Sequence, residues 1–74
     1  MKYFIVDYTT YSGDYEFTEY GVLSARTPES AEKKARKGRK FFTHYGWDEF
    51  CEFNGIQEIP GADFDVSKKY FTRI

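Results

Sequence analysis

His44 and Cys51 are the only histidine and the only cysteine among 74 residues, and Asp48 and Glu49 lie between them. A thiol nucleophile activated by an imidazole and oriented by a carboxylate needs these three residue types within hydrogen-bond reach. No family-specific local pattern surrounds either residue. The plainer reading makes Cys51 a small buried hydrophobe and His44 a side chain favourable near the end of a helix. No catalytic residue is assigned, and a non-enzymatic protein is expected.

Metals and phosphates are served no better. One His and one Cys cannot complete a zinc tetrad without carboxylates, and paired ligand spacing is missing. Asp63, Asp65 and nearby Glu58 would hold a hard cation only weakly, without the ligand series of a calcium loop. The glycines at 13, 21, 38, 46, 55 and 61 fit neither dinucleotide nor P-loop spacing. No metal and no cofactor are expected.

The basic residues are a different matter. Six of the eleven Lys and Arg (Lys33, Lys34, Arg36, Lys37, Arg39, Lys40) fall in one segment. At about 100° per residue, Lys33, Arg36, Lys37 and Lys40 form a stripe nearly opposite Ala31, Ala35 and Phe42. Lys34 and Arg39 flank it. Such a face suits an acidic protein surface, or the phosphates of a nucleic acid. It is also what ordinary solvation of a surface helix looks like. Trp47 is the one Trp and stands where an interaction anchor would be useful. Tyr3 and Tyr11, with Tyr15 and Tyr20, would add stacking platforms if one sheet face is open. The acidic-aromatic run Trp47-Asp48-Glu49-Phe50-Cys51-Glu52-Phe53 could meet basic residues of a partner, of a second copy, or of the chain's own helix.

The elements that position these residues follow from local pattern. Residues 2–11 are rich in β-branched and aromatic types and read as a strand, with Phe4, Val6 and Tyr8 on one face and Tyr3 and Ile5 on the other. Ser12-Gly13-Asp14 supplies a turn. Residues 15–25 read as the second strand of a hairpin. The adjacent apolar pair Val22 and Leu23 breaks its alternation, which suggests a bulge near Gly21. Thr27-Pro28 is a helix start, with a capping hydroxyl and a proline where no N–H is needed. The small-residue stripe Ala31, Ala35, Gly38 carries the helix to Tyr45, and Gly46 ends it. Residues 47–53 fit a helical turn or a strand. Asn54-Gly55 has the composition of a two-residue hairpin turn before a strand at 56–59. Pro60-Gly61 ends that strand, a loop spans 62–65, and a last strand covers 69–74.

The expected fold is α+β: an antiparallel sheet of three to four strands, one helix packed on one face, order β-β-α-β-β. The chain forms one domain, since 74 residues leave no room for a second. Seven Tyr and eight Phe are the means by which so short a chain fills a core. The far face of the sheet is either open or covered by Phe64, Tyr70 and Phe71 folding back.

Eleven basic residues against twelve acidic ones leave a net charge of −1, so overall charge selects no partner. A lone cysteine excludes an intrachain disulfide framework, which favours a reducing cytoplasm. No apolar run approaches the roughly 20 residues that cross a bilayer. The N-terminus lacks the pattern of a signal peptide and reads as a strand. The function expected is a protein-interaction module with an acidic protein partner, and a homodimer is a further arrangement the same surfaces allow. Its size suggests an accessory or inhibitory factor such as phages and mobile elements encode. The alternative is a small nucleic-acid-binding protein using the same helix.

Overall fold

A computed structural model describes residues 1–39 and 49–74. Its elements are β1 (Lys2–Ser12), β2 (Tyr15–Ala25), α1 (Pro28–Gly38), β3 (Glu49–Ile59), α2 (Gly61–Ser67) and β4 (Thr72–Arg73). The hairpin of β1 and β2 turns at Gly13, whose φ of 60° lies in the region glycine tolerates best. Its register runs without interruption from Ser12↔Tyr15 to Lys2↔Ala25. The bulge expected near Gly21 is therefore not there. Val22 and Leu23 are adjacent and both fully buried because both faces of the sheet are covered at this point. Alternation fails as a guide wherever a strand has no solvent side.

α1 starts where Thr27-Pro28 placed it. The Thr27 hydroxyl accepts from the Ser30 amide at 3.2 Å, and the Thr27 carbonyl accepts from the Ala31 amide at 3.0 Å. The small-residue stripe lies on the sheet: Ala31, Ala35 and Gly38 are buried. Gly38 has a packing reason, since a Cβ there would stand 2.7 Å from Ile74 Cγ2 and 3.1 Å from the Tyr8 hydroxyl. The described helix ends at Gly38; residues 40–45, assigned to the same helix from sequence, lie outside the described residues, as do Gly46, Trp47 and Asp48.

The principal core joins Phe4, Val6, Tyr8, Leu23 and Ala25 of the hairpin to Ala31 and Ala35 of α1 and to Cys51 of β3. Phe53, Ile56 and Ile74 pack against its margin. Thr10 is the buried polar residue of this face, and among the described residues its Oγ1 has no well-formed hydrogen bond, the Cys51 thiol being its polar neighbour. A buried hydroxyl without a partner costs about 1–3 kcal/mol. Thr10→Val, which keeps the branched shape, should therefore raise the melting temperature by several degrees, at about 4–8 °C per kcal/mol for a chain of this size. Thermal denaturation followed by circular dichroism checks it; a lowered Tm would mean the hydroxyl is bonded in solution.

The last third of the chain departs from expectation. Asn54-Gly55 makes no hairpin turn: β3 is one strand, and the pair sits at a register shift opposite Asp7 and Tyr8. The Asn54 amide donates to the Thr9 hydroxyl there, so the extra residue is a bulge rather than a turn. Where a loop was expected, Pro60 opens α2, with Phe64 N–H bonded to the Pro60 carbonyl and Lys68 N–H to that of Phe64. The final strand shrinks to two residues and pairs with β2 in parallel, at Gly21↔Thr72 and Val22↔Arg73.

The sheet order is β3-β1-β2-β4, so the sheet is mixed rather than purely antiparallel. Among the described residues the order is β-β-α-β-α-β, with two helices rather than one. One topological fact explains both corrections. β2 and β3 each run antiparallel to β1, so they are parallel to one another and need a crossover, as do β3 and β4. α1 lies in the first crossover, on the face of Tyr8. The second runs back across the sheet in the opposite direction. A crossover of the same hand must then use the opposite face. α2 does, placing Phe64 against Tyr3 with ring centroids 4.6 Å apart. Phe71 meets Tyr20 at 5.3 Å on the same side. The C-terminal segment thus covers part of the far face, although Tyr70 itself is exposed.

Candidate interaction surface

Burying Ala31, Ala35 and Gly38 leaves the opposite side of α1 to solvent, and Lys33, Arg36 and Lys37 are exposed on it. Lys34 is used differently: its ammonium donates to the Ser24 carbonyl at 2.9 Å and clips the helix to β2. Arg36 is held from two sides. Its Nη2 lies 3.0 Å from Glu32 Oε1, one helical turn back. Its guanidinium carbon stands 4.7 Å from the centre of the Phe53 ring. That stacking fixes the planar group over β3 and covers part of an otherwise wet aromatic face.

Arg36, Lys37 and Arg39 together with Glu52 and Phe53 line a groove of about 650 Å³ between the end of α1 and β3. Tyr11 lies on the other face, with Tyr3, where its hydroxyl donates to Glu52 Oε2 at 3.3 Å and holds that carboxylate away from α1. The groove is cationic on the helix side and carries the Phe53 ring on the strand side. It can present planar and ammonium donors to carboxylates, with an aromatic ring at its base.

The other candidate residues are placed apart from it. Tyr3 is half-buried on the opposite face, against Phe64, so it cannot share a contact with the basic stripe. Lys40, Trp47 and His44 lie outside the described residues. Cys51 is a buried core residue, and burial pushes its thiol up from the ordinary value, which keeps it protonated at neutral pH. Among the described residues, no group of three His, Cys, Asp or Glu is placed to hold a metal ion. No described helix is long and apolar enough to cross a membrane.

Phe53 and Glu52 are the groove residues that sequence reasoning left unassigned. Their composition was visible in the acidic-aromatic run. The position of Phe53 beside Arg36 was not, because it depends on β3 pairing with β1 rather than turning back at Asn54.

Compared with protein-family models, with curated proteins and with solved structures, this chain matches none of them.

Proposed function

We propose that the protein is a non-enzymatic interaction module that docks an acidic protein surface against the outer face of α1 and the adjoining groove. The observation that carries this reading is the stacked and paired Arg36 between the exposed Lys33 and Lys37. A cation already held in place loses less side-chain freedom on binding than a free one. Lys33 and Lys37 would steer approach, and the Phe53–Arg36 stack would supply the fixed contact.

The nucleic-acid alternative uses the same residues, but Glu32, paired with Arg36, sets a negative charge among them. That mixture suits a protein surface with both signs better than a uniform phosphate backbone.

The charge-reversed variant Lys33→Glu/Lys37→Glu separates the readings. Both side chains are exposed, so the fold should be retained. A discrete partner recovered from host extract by the wild type should be lost by the variant, with affinity down by roughly tenfold or more, mainly through slower association. Equal recovery by both forms would remove α1 from the interface. Binding to duplex DNA with a log–log salt slope near −0.9 per phosphate contact would replace the protein reading with the nucleic-acid one.

A further inference from the structure

Among the described residues, β2 is paired on its outer side only at Gly21 and Val22, by the two residues of β4. Among the described residues, no strand pairs with that side over residues 15–20. The direction of the backbone groups follows from one hydrogen bond. The Val22 carbonyl accepts from the Ile74 amide at 2.9 Å, so Val22 turns its peptide groups away from β1. Alternation along the strand then turns those of Tyr20, Thr18 and Glu16 the same way. This edge offers three outward N–H and C=O pairs, at alternate residues. Residues 15–20 contain no Lys and no Pro, and their register shows no bulge. The β3 edge, by contrast, is bulged at Asn54.

The side chains beside this edge are aromatic and acidic. Tyr15 is 77%, Phe17 41% and Tyr20 42% exposed, a concentration of large apolar surface that marks contacts. Tyr15 and Phe17 share the face of α1, and Tyr20 lies on the other. An added strand would therefore meet an aromatic on each side. From residue 3 to residue 25 there are four acids (Asp7, Asp14, Glu16, Glu19) and no Lys, Arg or His. Pairing two copies along this edge would bring Asp14 and Glu16 of each together, in a stretch whose own sequence supplies no Lys, Arg or His. Like charges facing across strands oppose that arrangement.

We propose that the outer edge of β2 at residues 15–20 is a docking site for an extended, lysine- or arginine-bearing segment of a protein partner, which adds to the sheet as a further strand. Main-chain bonds to Glu16, Thr18 and Tyr20 provide the affinity. Alternate side chains of the incoming strand meet the aromatics and the acids, which provides the selectivity. This edge is separate from the groove at α1, so either surface can fail alone.

The probe is a short alternating lysine–valine peptide, titrated into the protein by NMR, beside its glutamate–valine counterpart and a version N-methylated at every second residue. The lysine peptide should shift the amides of Glu16, Thr18 and Tyr20 and slow their exchange. The other two peptides should bind roughly tenfold or more weakly. Thr18→Pro removes one outward N–H without touching the ladder to β1, and should weaken the lysine peptide by a similar factor. Where that variant proves misfolded, Thr18→Lys and the N-methylated peptide read the same contact. Unchanged binding by Thr18→Pro, equal binding of the glutamate peptide, or shifts confined to α1 would overturn the proposal. So would a dimer in sedimentation that Thr18→Lys dissociates, because the occupant would then be a second copy.

Discussion

Phe64→Ala should cost about 3 kcal/mol and release α2 from the sheet, in line with other large-to-small changes at buried phenylalanines. Phe64 is 5% exposed and is the buried residue of α2. Its ring stacks on Tyr3 and lies under Arg73, whose guanidinium carbon is 5.9 Å from the ring centre. A seven-residue helix is far below the length that holds together in water by itself. Its order therefore derives from this side chain. The loss should be local before it is global: the amide of Lys68, bonded to the Phe64 carbonyl, and that of Ile74, bonded to Val22, should exchange faster than amides of β1. Val66, on the same helix but 58% exposed, is the control; Val66→Ala should stay within about 0.5 kcal/mol. If both substitutions behave alike, α2 is not anchored by Phe64.

Tyr8 should show the second large effect, in both stability and pH dependence. Its ring is fully buried, and its hydroxyl donates to the Ala35 carbonyl at 2.6 Å, tying β1 to α1 across 27 positions. Tyr8→Phe should cost about 1–2 kcal/mol through that bond, and Tyr8→Ala about 3–5 kcal/mol by adding a cavity. Domains of this length have only about 4–11 kcal/mol in all, so the second variant approaches unfolding at ordinary temperature.

Burial pushes the Tyr8 hydroxyl well above the ordinary tyrosine value. A group whose folded-state value is raised contributes stability below the unfolded value and loses it as pH climbs toward the folded one. The wild type should therefore weaken as pH rises through about 10, where an unfolded tyrosine ionises and the buried one cannot. Cys51, shifted in the same direction by burial, starts the decline slightly earlier. Tyr8→Phe should flatten the upper part of this alkaline limb while lowering stability at neutral pH. Urea midpoints measured between neutral and alkaline pH would show both; parallel curves for the two proteins would mean Tyr8 ionises as readily in the fold as outside it.

These two residues also mark what could be read from the chain and what could not. Thr27-Pro28 and the stripe Ala31, Ala35, Gly38 were enough to start α1 and to orient it, because caps and helical periodicity are local. Lys33, Arg36 and Lys37 were outward for the same reason. The alternation of Phe4, Val6 and Tyr8 named the face that α1 would cover. Local pattern misled at Val22-Leu23 and at Asn54-Gly55. Adjacent apolar residues suggest a bulge only if one face is wet, and Asn-Gly makes a turn only if the strand is free to reverse.

The amino-acid sequence by itself determined a β-hairpin followed by a capped cationic helix, since each depends on contacts a few residues apart. The tertiary structure alone decided that β3 runs straight through Asn54 to place Phe53 under Arg36. It alone decided that α2 forms on the opposite face, and that β4 stops after two residues, so that among the described residues no strand pairs with the outer side of residues 15–20. The reason is physical. Strand order and crossover face are set by which buried surfaces meet across the whole chain, and a seven-residue helix with one buried anchor carries too little local preference to announce itself.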